Sequence, residues 1–184
     1  MVNALAAAAS GVGRLNDAIL WVCRWAVILI VAALAVILGA GVFWRYVLND
    51  AIAWSEEGSK YLMVWLAFLG APIALRHNAH VNVDLLVALL PGRARQASHL
   101  LVAVIILATM GVLVWQGALF AAQGARQVAS SFGMSMVWVY GVVPAGALLM
   151  GLVALEHGLK AAVGIRDPDR GFKEDHAYAE EIRE

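Results

Sequence analysis

Charge is scarce in this chain. Only 14% of its 184 residues are Asp, Glu, Lys or Arg, against 62% hydrophobic, and the mean hydropathy is +0.79. So little charge excludes an ordinary soluble surface and leaves an integral membrane protein. Acids and bases balance at 13 each. Without a positive excess there is no electrostatic footprint for nucleic acid, and no such partner is expected. Cysteine is nearly absent: the lone Cys23 excludes an internal disulfide. With no Cys or His companion near it, it reads as a buried apolar residue.

Catalytic signatures are missing as well. There is no G-x-S-x-G, no H-E-x-x-H and no Walker loop, so hydrolase and nucleotide-driven chemistries have no footing. His77, His80, His99, His157 and His176 all fall outside the cores of the apolar runs, which removes the facing pair that would ligate a haem inside a bundle. The adjacent Glu56 and Glu57 project about 100° apart on a helix and cannot form a facing acid/base couple. No metal, cofactor, catalytic residue or substrate-binding residue is expected, and the chain is not read as an enzyme. No internal repeat is visible and no ionisable residue sits at mid-membrane, so a self-contained transporter lacks a place for its cargo.

Long apolar runs are what the chain has. Crossing a hydrocarbon layer of about 30 Å takes about 20 helical residues. Trp25 to Trp44, Leu100 to Ala125, and Gln127 to Leu155 (densest in apolar residues from Met136) carry no charge and are long enough. Tyr61 to Leu75 offers only 15 uncharged residues, about 22 Å of helix, which is too short. That helix must begin near Glu56 and take Glu57 and Lys60 to the membrane edge, with Asn49 and Asp50 as expected caps before it. Pro72 and Pro144 are tolerable kink points in membrane helices. The expected fold is an all-α integral membrane protein of four transmembrane helices, over about 22–44, 54–76, 99–124 and 136–157, within a membrane domain of residues 1–163 followed by a charged tail, 164–184.

Ten Lys and Arg (Arg14, Arg24, Arg76, Arg93, Arg95, Lys160, Arg166, Arg170, Lys173, Arg183) fall on the side of the termini and the second loop, and three (Arg45, Lys60, Arg126) on the other. This bias places both termini in the cytoplasm. The first 24 residues read as an uncleaved lead-in, since the apolar run after them exceeds a signal core and lacks a small-residue cleavage site. Val12, Leu15, Ile19 and Val22 recur at helical spacing opposite Arg14, Asp17 and Arg24, which fits either a helix lying on the inner surface or an extension of the first span. A short interfacial helix is also expected in "HVNVDLLVALLPGRARQ", ended by Pro91-Gly92. The tail from Gly164 holds eleven charges of mixed sign and reads as solvated.

Small residues at helical spacing, Gly117, Ala121 and Ala125 in the third span and Ala147 and Gly151 in the fourth, allow close helix approach within the bundle or against another membrane protein. Trp21, Trp25, Trp44, Trp54 and Trp138 near span ends fit interfacial anchoring in lipid. Glu56 lies four residues before Lys60 and Glu57 three before it, so both carboxylates can reach that ammonium. Either Lys60 snorkels outward and the charges mark the helix start, or they face protein.

Between Arg45 and Asp84 the chain reads R-Y-x-x-N, W-S-E-E, K-Y-x-x-x-W, F-L-G and R-x-x-x-H-x-x-x-D, carried by Arg45, Tyr46, Asn49, Trp54, Ser55, Glu56, Glu57, Lys60, Tyr61, Trp65, Gly70, Arg76, His80 and Asp84. This order and spacing closely resembles the small membrane (DctQ-type) subunit of tripartite ATP-independent periplasmic (TRAP) transporters. The length and the four spans fit the same family. The resemblance implies a bacterial inner-membrane system in which a periplasmic substrate-binding protein captures an organic acid and a large TRAP membrane subunit carries it inward on a sodium gradient, moving as an elevator. The small subunit is then the fixed scaffold, without catalytic or substrate-binding residues, and its large partner is expected as a separate polypeptide. On that resemblance, Glu56, Glu57 and Lys60 with Trp54, Tyr61 and Trp65 shape the outer end of the second helix and its contact with the large subunit. Arg45, Tyr46 and Asn49 order the periplasmic loop or meet the binding protein. His80 and Asp84 pair with each other or with Arg76. The competing readings are a membrane anchor of a redox complex, which a haem absorbance band would reveal, and an autonomous small transporter, which uptake by this chain alone would reveal.

Overall fold

Hydrocarbon offers backbone groups no water to bond, so an apolar run that enters it satisfies its N–H and C=O groups internally by forming a helix. The computed structural model describes residues 2–77, 92–131 and 133–166. Among them are α1 (Val2–Val47), α2 (Ala53–Arg76), α3 (Gly92–Gln123), a 3₁₀ turn (Gly124–Arg126), α4 (Val137–Tyr140) and α5 (Val142–Arg166). Four of these helices are long and apolar enough to cross a membrane, as the apolar runs predict. Among the described residues extended pairing is limited to one isolated antiparallel bridge, Val128 to Ser135. The interfacial helix expected in the second loop and the charged tail beyond Arg166 lie outside the described residues.

The bundle is organised around α5, which packs on α1, α2 and α3, while α3 packs chiefly on α5. Small residues set these approaches. A Cβ on Gly117 of α3 would stand 3.2 Å from Pro144 Cδ and 3.3 Å from Val143 Cγ1, and Ala147 has no exposed surface. A Cβ on Gly146 of α5 would sit 2.7 Å from the Phe68 carbonyl oxygen of α2, so the two backbones nearly touch. Pro144 lies in the first turn of α5, where its missing N–H costs no helical bond. Pro72 is buried inside α2.

Helix α1 is 46 residues long, about 69 Å at 1.5 Å per residue, more than twice the hydrocarbon thickness. The amino-terminal segment therefore continues the first helix and is not a separate surface helix. Its inward face also differs from the one its apolar spacing suggests: Ala9, Gly13, Asn16, Leu20 and Cys23 are buried, whereas Leu15 and Val22 are 51% and 59% exposed. Small and polar side chains take much of the inward face because α1 runs close to α5 there, with Leu20 the one large aliphatic residue among those five.

Candidate functional site

The turn from α1 to α2 is made by Asn49, whose φ of 54° is in the left-handed region that Asn tolerates better than most residues. Neither Asn49 nor Asp50 caps α2. The N-cap is Ile52 with no side-chain cap bond, and the buried Ser55 turns its hydroxyl back to donate to the Ile52 carbonyl at 2.8 Å. Across this turn the guanidinium of Arg45, at the end of α1, pairs with Glu56 in the first turn of α2, both side chains being well exposed.

Glu57 points elsewhere. Its carboxylate accepts the Tyr61 hydroxyl of its own helix and, from the loop after α3, the backbone N–H groups of Ser130 at 3.2 Å and Ser131 at 2.8 Å. The intrahelical pairing of Glu56 and Glu57 with Lys60 is thus replaced. Each carboxylate has a different neighbour on its own side of the helix, and Lys60 is exposed with no ion pair among the described residues. Backbone donors and an already placed Arg outcompete a lysine whose long side chain would have to be ordered.

The loop that meets Glu57 is itself well fastened. Ala129 N–H donates to the Met134 carbonyl at 2.8 Å, Met136 N–H to Gln127 at 3.0 Å, and Gly133 takes a φ of 63° at the tip. The Tyr140 hydroxyl bonds Gln127 Oε1 at 3.2 Å while its ring packs on Phe120 of α3, centroids 4.4 Å apart.

At the opposite end of α2 lies a second polar centre. Glu156 of α5 has no exposed surface. Its carboxylate receives Asn16 Nδ2 of α1 at 2.6 Å, Lys160 Nζ one turn on at 2.7 Å, and Arg76 Nη2 of α2 at 3.4 Å. Arg76 also pairs with Asp17 at 2.8 Å and donates to the Gly13 carbonyl at 3.3 Å. Gly13 makes the approach close: a Cβ there would stand a tight 3.2 Å from Glu156 Oε1. Burial of a carboxylate is tolerable when its lone pairs are this fully used.

Glu156 and Asn16 are absent from the residues that the sequence points to, and Asp17 enters there only on the polar face of the amino-terminal segment. The signal was present in Glu156 four residues before Lys160, immediately after a charge-free run. Of the residues that were singled out, Arg76 joins this centre, and Arg45, Ser55, Glu56, Glu57 and Tyr61 gather at the other. Tyr46 is 77% exposed and Trp54 43%, Trp65 is half-buried, and Asn49 shapes the turn. His80 and Asp84 lie outside the described residues. Among the described residues no three His, Cys, Asp or Glu side chains come together in a way that could hold a metal ion.

Both centres tie helices of one chain together. Residues 34–163 match the family model described as "Tripartite ATP-independent periplasmic transporters, DctQ component". The chain is 29% identical over 127 residues to the sialic acid TRAP transporter small permease protein SiaQ of Vibrio cholerae, an alignment covering 69% of this chain and 73% of that protein. To the C4-dicarboxylate TRAP transporter small permease protein DctQ of the same organism it is 30% identical over 108 residues, 59% of this chain and 45% of that one. It is also 28% identical over 114 residues to the sialic acid TRAP transporter permease protein SiaT of Haemophilus influenzae, covering 62% of this chain but only 18% of SiaT.

Proposed function

The chain belongs to the DctQ family of TRAP transporter components, and on that premise we propose that it is the fixed scaffold on which a large membrane subunit moves an organic acid across the bacterial inner membrane. The family consists of transporter parts and not of enzymes, and the chain is a multi-pass membrane protein. The observation that carries the scaffold reading is where the polar groups point. In a bundle with four helices able to span, the bonded carboxylates of Glu56, Glu57 and Glu156 are turned onto the chain's own helices and loops, which suits a part that holds its shape.

A match to a small part of the much longer SiaT supports a large membrane protein as the partner, since like sequence is covalently joined there to more permease. The names of the sialic acid and C4-dicarboxylate relatives support a carboxylate as the cargo. A periplasmic binding protein delivers the substrate and a sodium gradient drives it. Both termini are cytoplasmic. Arg45, Tyr46 and Asn49 are then periplasmic and within reach of the binding protein, and Lys60, Trp54 and Trp65 on α2 are available to the large subunit.

The test is sodium-dependent uptake of radiolabelled organic acids into proteoliposomes holding this chain, its large partner, or both, with the binding protein added throughout. Uptake is expected only with both. Undiminished uptake with the large subunit alone would refute the scaffold role, and uptake by this chain alone would mean that it carries a transport site.

A further inference from the structure

The two polar centres lie at opposite ends of α2. Glu57 and Arg76 are 19 helical residues apart, about 28 Å along the axis, which matches the thickness of the hydrocarbon layer. Each centre links the same two halves of the molecule. At one end Glu57 of α2 holds the backbone of Ser130 and Ser131, in the loop leaving α3 for α4 and α5. At the other, Glu156 of α5 holds Asn16 of α1 and Arg76 of α2. Between them the contact is apolar and close, with Gly146 against Phe68 and the buried Pro72 in α2. Packing in lipid lacks the hydrophobic drive that holds soluble helices together, so directional bonds at the two ends decide whether the halves can slide or splay.

We propose that Glu57 and Glu156 are positioning residues that clamp the α1–α2 pair to the α3–α5 pair at the two faces of the hydrocarbon layer, one at each end, so that the chain moves as one block. The clamp stands on geometry alone. Its consequence for transport rests on the scaffold reading, because a scaffold must resist the force of the moving subunit. Two features make the ends independent. The Glu57 carboxylate meets fixed backbone donors and needs no long side chain to be ordered. The Glu156 carboxylate sits where Gly13 lets α1 approach, and its three donors come from three different helices.

The experiment measures pulsed electron–electron distances in nanodiscs, on the full chain together with its large partner and in a Cys23→Ala background. One spin-label pair, at Asp50 and Val128, reports the end near Glu57. A second pair, at Arg14 and Ala97, reports the end near Glu156. All four positions are exposed. Glu57→Ala is expected to broaden the Asp50–Val128 distribution and leave the other narrow, and Glu156→Ala to do the reverse. Glu57→Gln, which keeps one acceptor oxygen for one of the two amides, should fall between wild type and Glu57→Ala. If Glu156→Ala does not assemble, Asn16→Ala removes one bond of the same centre and is expected to broaden the Arg14–Ala97 distribution alone. Unchanged distributions in all variants, or equal broadening at both ends from either one, would overturn the clamp. Uptake measured on the same samples separates the two ideas: broadening with undiminished uptake would leave the clamp standing and remove the scaffold reading.

Discussion

A carboxylate with no exposed surface persists only while its neighbours satisfy it, and Glu156 has Asn16, Lys160 and Arg76 to do so. Removing Glu156 takes a buried acceptor from Asn16, Lys160 and Arg76, but Arg76 keeps Asp17 and the Gly13 carbonyl and Lys160 is partly exposed, so the loss falls toward the low end of roughly 3–5 kcal/mol. Glu156→Ala should therefore lower the melting temperature of the detergent-solubilised protein sharply, while Glu156→Gln, which keeps one acceptor oxygen for either Asn16 or Lys160 but not for both, lowers it less. Arg45→Ala is the contrast. Its ion pair with Glu56 is exposed on both sides, and such pairs are screened and cost side-chain entropy to hold, so its melting temperature should stay at the wild-type value. Equal losses from Glu156→Ala and Arg45→Ala would show that burial is not what separates the two sites. Charge at the membrane edge was visible in the sequence, but its pairing was not. Local spacing offers Lys60 to Glu57 and also the Tyr61 hydroxyl that does bind it, whereas the backbone N–H donors of Ser130 and Ser131 are more than seventy residues away and have no signature in the sequence.

Helices were the legible level. The charge-free runs mark the spans because the solvent there is lipid, and length arithmetic alone required α2 to start before Tyr61, as it does at Ala53. Capping was misplaced by a few residues, since Asn49 serves the turn and not the helix end. Hydropathy says little about which side of α1 turns inward where lipid and protein are equally apolar. What decides the inward face is size, and small residues mark it: Gly13 against Glu156, Gly41 against Ser55, Gly146 against Phe68. These approaches differ in how much they can yield. At Gly146 an added Cβ would meet a backbone oxygen at 2.7 Å, which no rotamer change relieves, whereas at Gly151 it would meet only Met110 Cβ at an ordinary 3.7 Å. Overpacking of the first kind costs about 1–3 kcal/mol. Gly146→Ala should accordingly reduce thermal stability and co-purification of the large subunit, and Gly151→Ala should change neither. A Gly146→Ala protein as stable as wild type would mean that α2 and α5 are free to move apart.

At the scale of the whole chain, α1 runs the entire height of the bundle and beyond it. Its charge-free part is about 20 residues, enough for the hydrocarbon, and a bilayer placed on that part would leave the turns around Ala9 and Asn16 outside it, still packed on α5. Polar side chains from three helices collect there at the Glu156 centre. On the orientation proposed above, this end is cytoplasmic and the Arg45–Glu56 turn with the Glu57-bound loop is periplasmic. That orientation makes a direct prediction in whole cells. In a Cys23→Ala background, Asp50→Cys should react with a membrane-impermeant maleimide added outside once the outer membrane is opened, and Arg14→Cys should react only after the inner membrane is permeabilised. Both positions are exposed on the folded chain, so access is governed by the bilayer and not by packing. The reversed pattern would invert the topology. It would also put Arg45, Tyr46 and Asn49 out of reach of any periplasmic binding protein, and the periplasmic roles proposed for them would fall with it.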